Sequence, residues 1–350
     1  MPSSSRRIDA ARQNSPAQEA KAWMQRLSSY RVPSTWRSLF ELAVTFGPFV
    51  LAWTLLAIAV HLDQLWLYAL LLLPAGGLLV RLFMIQHDCG HGSFMRRRWG
   101  NDWVGRVIGV LTLTPYDHWR QAHAIHHATA GNLDRRGVGD VDTLTVREYQ
   151  ALPWRPRLLY RLYRNPLVMF GIGPFYLFFL QNRLPVGAMH KGWMPWVSTM
   201  ATNAAIVAAA GLMIWAIGVW PFLLVHLPIV LLGATAGVWL FYVQHQYEDT
   251  TWDKGDAWNA HEAALHGSSH YDLPAVLRWF TGNIGVHHVH HLSSRIPFYR
   301  LREVLRDHPE LGEVGRLTLW QSFRCVRLVL WDEEKRRMVS FREAAVSASA

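Results

Sequence analysis

The sequence predicts an all-α integral membrane protein, with two transmembrane helical hairpins (four spans) and a cytosolic helical cap. Three observations predict it. Apolar residues, 51% of the 350, gather into long runs while charge collects elsewhere. The runs come in two pairs, each joined by a short link. Histidines cluster where the second and fourth runs end.

The first run extends from about Leu39 to Val60, and the second from Leu65 to about Ile85 after the link HLDQ. Each has the ~20 residues a helix needs to cross a hydrocarbon core of ~30 Å. The third runs from Met194 to about Ile217 and the fourth from about Trp220 to Val243, with Gly218, Trp220 and Pro221 marking the link. A fifth stretch, LVMFGIGPFYLFFL from Leu167, is short and interrupted by Gly and Pro. It reads as interfacial or re-entrant.

Charge placement orients the hairpins. Neither Ser38 to Val80 nor Gly192 to Asp253 contains Lys or Arg. The polar stretch between the hairpins carries Arg96, Arg97, Arg98, Arg106, Arg135, Arg136, Arg155, Arg157, Arg161 and Arg164. By the positive-inside rule, both termini and this stretch face the cytosol. Trp66, Trp193, Trp196, Trp220 and Trp239 are candidate interfacial anchors. Trp53 lies deep in the first run and fits that role least.

The formal net charge of +10 is explained by basic loops at anionic headgroups. No zinc knuckle, aromatic RNA-binding motif or helix-turn-helix pattern supports nucleic-acid binding. Two distant cysteines, Cys89 and Cys325, make no disulfide framework. The N-terminus has no signal-peptide core. The chain divides into a polar N-terminal arm over 1–36, a main domain over 37–310 and a cytosolic C-terminal tail over 311–350.

The eighteen histidines carry the chemistry. His87 and His91 follow the second run at i, i+4, on one helical face. His123, His126 and His127 repeat the idea at i, i+3, i+4, and so do His287, His290 and His291. His288 sits ~100° round the helix from His287 and faces elsewhere. His245 comes just as the fourth run ends. Isolated His61, His190, His226 and His308 read as ordinary polar residues, and His118 as a packing residue. His261, His266, His270 and His288 lie outside the repeated pattern. Neutral imidazoles gain little from packing together unless a cation binds them, and protonated ones repel. A nitrogen-rich site suits Zn, Fe, Cu or Ni. One closed zinc site needs four ligands, so eight or nine histidines imply two metals. HExxH is absent, which leaves a redox pair, iron foremost. Asp88, Asp117, Asp140, Asp142, Glu248, Asp249 and Glu262 are candidates to orient the imidazoles. Asn283 is a candidate to hold a metal-bound water.

HDCGH, HAIHH and HHVHH, hung on two hairpins, resemble the three histidine boxes of the membrane fatty acid desaturase family. The flanks WRQAHAIHHATAGNLDRRGVGDVDTLTVREY, FYVQHQYEDTTW, GSSHYDLPAVLRWFTGNIG and HHLSSRIPFY resemble bacterial acyl-lipid desaturases of the omega-6 class. The resemblance covers about Leu39 to Leu301. It implies a di-iron centre in the cytosolic cap, O2 as co-substrate, and removal of two hydrogens from a lipid acyl chain. It assigns the metal to His87, His91, His123, His126, His127, His287, His290 and His291, with His245 as the extra ligand after the last span. It places the protein in a bacterial inner membrane. No HPGG haem motif or four-cysteine iron–sulfur pattern is present, so the expected electron donor is a separate ferredoxin or cytochrome.

Two other readings remain open at this point. A hydroxylase, ketolase or acetylenase uses the same boxes. A histidine-rich metal transporter would instead place ligands at midspan, where only His226 lies. The topology is testable: a reporter fused after Asp63 is expected outside and one after Arg136 inside, and the reverse pattern would overturn the orientation.

Overall fold

The computed structural model describes residues 16–346. In chain order its main helices are α1 Pro16–Arg26, α2 Thr35–His61, α3 Leu65–His91, α4 Arg98–Leu111, α5 Tyr116–Thr129, α6 Val146–Ala151 and α7 Trp154–Tyr163. Then come α8 Met194–Ile217, α9 Val219–His245, α10 Ala260–His266, α11 Ala275–Phe280, α12 His287–Leu292, α13 Leu301–Asp307 and α14 Phe341–Val346. Among the described residues, four helices (α2, α3, α8 and α9) are long and apolar enough to cross a membrane.

These helices outrun the apolar segments that predict them. Hydrophobicity ends near Ile85, but α3 continues through QHDCGH until Gly92, in the left-handed region at φ 67°, terminates it. Helical hydrogen bonding continues wherever the backbone permits, whatever the polarity. The first histidine cluster is therefore the last turn of a spanning helix, and His245 is the last residue of α9. The stretch from Leu167 forms π-helical turns at Val168–Ile172 and Tyr176–Leu180 rather than a long helix. It lies along α9, where Phe170 meets Trp239 at 5.0 Å between ring centroids and its carbonyl accepts from the Thr235 hydroxyl.

α3 is the central element, packed by α2, α4 and α9. It approaches α9 closely through two glycines. A Cβ on Gly76 would stand 3.0 Å from Leu232 Cβ, and one on Gly233 would stand 3.0 Å from Leu79 Cδ2. α8 contributes little to the core, with Trp215, Val207 and Leu212 exposed on its surface.

Segments expected to be peripheral are packed. Residues 1–15 lie outside the described residues, but Trp23, Leu27 and Tyr30 are buried in the core cluster that also holds Val286, Val289, Leu292 and Val304. Tyr30 donates to Asp307 at 2.8 Å, and Arg31 donates to Ser293 at 2.9 Å. The later part of the polar arm is thus an amphipathic strap, whose apolar residues are too few to register as a core segment in sequence. The C-terminal region is likewise stitched in by short strands. β1 Leu144–Thr145 and β4 Leu330–Asp332 pair in parallel, and β4 pairs antiparallel with β5 Arg337–Val339. β2 His270–Asp272 pairs in parallel with β3 Arg316–Thr318. Residues 347–350 lie outside the described residues.

One buried ion pair joins the first hairpin to α11. Arg81 on α3 contacts Glu41 on α2 and the carbonyl of Trp279, and both charged side chains are nearly inaccessible. Replacing Glu41 with Ala leaves a buried guanidinium uncompensated, at an expected cost of about 3–5 kcal/mol. Thermal unfolding in detergent is expected to show a lower midpoint for that variant. Most of the loss is expected to be recovered in the double variant Glu41→Leu/Arg81→Met.

Candidate metal centre

Four elements end at one place. α3 brings His87 and His91 in its last turn, α5 brings His123, His126 and His127, α12 brings His287, His290 and His291, and α9 brings His245 as its last residue. α12 is a short helix held by its neighbours. The His287 N–H donates to Ser269 O at 3.2 Å, Ser269 N–H to Gln244 O at 3.0 Å, and the Gln244 side chain to Ile284 O at 3.1 Å. These bonds lock the end of α9 to the turn that starts α12. Behind α12, Val289 and Leu292 join the core that includes Leu27 and Trp23. The opposite face is thereby left for histidines.

The nine imidazoles resolve into two adjoining groups. One comprises His87, His91, His123, His127 and His290, and the other His126, His245, His287 and His291, with donor nitrogens within 4.8 Å of one another in each. The histidine clusters do not each serve one group. Members at i, i+4 stay together, as His87/His91, His123/His127 and His287/His291 do. The third member, His126 or His290, joins the other group. On a helix, i+4 is rotated about 40° from i, whereas i+3 is rotated about 60° the other way. One shared face is therefore wide enough to reach two points.

The nitrogens converge on Nε2. His91–His123, His123–His127 and His127–His290 Nε2 separations are 3.0, 3.2 and 3.1 Å. His245–His287 and His287–His291 are 3.0 and 3.1 Å. Two nitrogens each about 2.1 Å from one ion, at right angles, lie about 3.0 Å apart, so the spacing fits ligands of a common cation. A second observation agrees. His87 and His126 turn Nδ1 toward Asp88 and Asp140, while their Nε2 atoms are buried with no hydrogen-bond partner among the described residues. A buried lone pair without a donor is costly unless a cation takes it.

Burial favours the neutral form of five of the clustered imidazoles. Burial first, and neighbouring imidazoles second, push His123, His127, His287, His290 and His291 well below the ordinary histidine range. Neutral imidazole is the form that binds metal.

Of the seven candidate carboxylates, Asp88 and Asp140 reach a clustered imidazole. Asp117 pairs with Arg106 at 2.9 Å, and Asp142 is exposed. Glu248, Asp249 and Glu262 join neither group. Asn283 is turned to the backbone, donating to Phe298 O at 3.4 Å. His261, His266, His270 and His288 belong to neither group. His288 hydrogen-bonds Leu311 O at 2.8 Å and His270 bonds Gly312 O at 2.5 Å. His118 also stands apart.

Sequence reasoning missed the aromatic wall. Trp119 stacks on His123 with centroids 4.7 Å apart, and Phe83 meets Trp119 at 5.4 Å. Phe241 lies 5.0 Å from both His126 and His245. Phe83, Trp119 and Phe241 each precede a clustered histidine by four residues, and that i−4 spacing was the available signal.

This is a multi-pass membrane protein with a polyhistidine site suited to two metal ions, set at the ends of its spanning helices. A family model described as fatty acid desaturase matches residues 64–323. The chain is 44% identical over 327 residues to a "Fatty acid desaturase" of Bacillus subtilis (strain 168), covering 93% of this chain and 92% of that protein. It is 33% identical over 290 residues to an "sn-1 acyl-lipid omega-3 desaturase (ferredoxin)" of Synechocystis, covering 76% and 75% of the two chains. An "sn-1 oleoyl-lipid 12-desaturase" of Synechocystis is 30% identical over 236 residues, covering 65% and 64%. The chain belongs to the fatty acid desaturase family. Membership sets the metal-transporter reading aside.

The depressed histidines give a pH prediction with a definite sign. Below about 6.5 these residues take protons in the unfolded chain but not in the folded one. Stability is therefore full above about 6.5 and falls below it, by about 1.4 kcal/mol per pH unit for each such histidine. Thermal midpoints are expected to be clearly lower at pH 5.5 than at pH 7.5. An equal or higher midpoint at the lower pH would overturn the assignment.

Proposed function

We propose that the protein is an O2-dependent acyl-lipid desaturase whose nine clustered histidines hold two irons at the cytosolic membrane face. The observation that carries this reading is the pair of adjoining all-imidazole groups, in a chain of this family. All-nitrogen ligation suits iron, and two groups suit a redox pair. When bound, the two irons supply the O2 activation and oxidising strength for C–H cleavage that side chains lack. The balance requires an external donor. Two hydrogens from a CH2–CH2 unit, two donor electrons and two protons reduce one O2 to two waters. The Synechocystis relative whose name includes ferredoxin supports a donor of that class, and a cytochrome is the other candidate.

The residues of this chain bind, orient and exclude water. His87, His91 and His245 stand at the ends of spanning helices, so an acyl tail can reach the site without crossing water. Phe83 and Phe241 lie one turn membrane-ward of His87 and His245, and Trp119 covers His123. This apolar wall keeps the reacting carbons dry. Relatives named for oleoyl-lipid and acyl-lipid desaturation support a substrate esterified in membrane lipid and already monounsaturated. The expected product carries a further cis double bond.

Expression in a host containing oleoyl lipids, with lipid classes separated before fatty-acid analysis, tests the reading. A diene appearing first in phospholipid is expected. Only new monoenes, or a hydroxylated chain, would overturn the specificity. His126→Ala and His290→Ala are expected to abolish turnover and lower bound iron, whereas His190→Ala, at an exposed site, leaves both unchanged. Full turnover by an iron-free His126→Ala protein would overturn the metal assignment.

A further inference from the structure

The geometry points to Asp140 as a positioning residue for the four-histidine group, holding His126 in the tautomer that presents Nε2 as a bare lone pair. The inference rests on the two-ion reading above and adds to it a residue that binds no ion itself. Asp140 Oδ1 is hydrogen-bonded to His126 Nδ1. A neutral imidazole has one N–H, so donation from Nδ1 leaves Nε2 without a proton. That Nε2 is buried and has no partner among the described residues. Without the carboxylate, the proton is free to sit on Nε2 and block the position.

The contact is built by the loop GVGD. Gly139 adopts φ +73°, and a Cβ there would stand 3.2 Å from Ala122 O and 3.3 Å from His126 Cβ. The loop is thus pressed flat on α5 by a residue that needs both the left-handed region and no side chain. Asp140 is 7% exposed, and its Oδ2 is buried without a hydrogen-bond partner. The guanidinium of Arg136, nearby in sequence, contacts Glu148 instead. The carboxylate charge therefore acts chiefly through His126. Four neutral imidazoles bring no charge of their own, so this anion is the group's compensation for a divalent ion.

The two groups differ in this respect. In the five-histidine group, His87 Nδ1 stands 3.4 Å from Asp88, and the other oxygen of Asp88 accepts the Phe298 N–H at 2.7 Å. That clamp is longer and shared, and its group has one more ligand. The four-histidine group depends more on its carboxylate.

The test is Co2+ titration of the metal-depleted full-length protein in detergent, followed by visible absorption and metal analysis. Wild type is expected to bind two equivalents. Asp140→Asn is expected to weaken one of them about 10–100-fold and leave the other unchanged. Gly139→Ala is expected to weaken the same equivalent, because it displaces the loop while keeping the carboxylate. Asp142→Asn, at an exposed site in the same loop, is expected to behave as wild type. Two equivalents at wild-type affinity in Asp140→Asn would overturn the inference and leave the two-ion reading standing. Equal weakening of both equivalents with a lowered thermal midpoint would show a merely structural role and also overturn it. Fewer than two equivalents in wild type would overturn the two-ion reading and the inference together.

Discussion

Nine imidazoles turned toward one another in a buried space are the constraint on which the rest of this structure depends. Such a cluster is unfavourable in isolation. Ring nitrogens face one another at about 3 Å, and protonation would add charge repulsion. The surrounding fold makes the convergence possible. α3 and α9 hold their helices past the end of their apolar runs. α12, too short to be stable alone, is fixed on one side by Ser269 and Gln244 and on the other by a core that includes Trp23 and Leu27. Elements far apart in sequence are thus committed to the same few ångströms.

The interleaving of the two groups has a mechanical consequence. His126 and His127 are consecutive on α5 yet face different groups, and so do His290 and His291 on α12. The separation between the groups is therefore set by covalent helix geometry, which is stiff, rather than by the packing of independent parts. Two ions held by these groups would have their spacing fixed by α5 and α12. This suits chemistry in which two centres act on one small molecule.

The boundary between membrane and cap is managed by a few polar devices. Arg81 and Glu41 neutralise each other where α2 and α3 leave the apolar region, and Arg81 also faces the Trp279 ring at 4.1 Å, binding α11 to the hairpin. Deeper in the cap, Arg164 is buried and bonds to the Tyr242 hydroxyl, the Gln246 side chain and the Leu328 carbonyl. These contacts tie the end of α7 and the segment leading into β4 to the end of α9, the helix that delivers His245.

By itself the sequence determined the spans, the links and the box histidines, because these are written in local quantities: runs of apolar residues, gaps in Lys and Arg, and i, i+4 spacing. Family membership was legible for the same reason, since the boxes are contiguous. Only the tertiary structure decided how the nine histidines divide. Facial spacing places side chains on an arc but says nothing of what lies opposite, and two targets fit within one arc. Likewise, seven carboxylates lie near a histidine cluster in sequence, and the fold brought Asp88 and Asp140 to an imidazole, Asp140 through a left-handed glycine that no periodicity reveals. The strap over α12 and the strands of the C-terminal region were illegible for a related reason. Their stability comes from long-range contacts of a few residues each, and such contacts leave no pattern in the segments that make them.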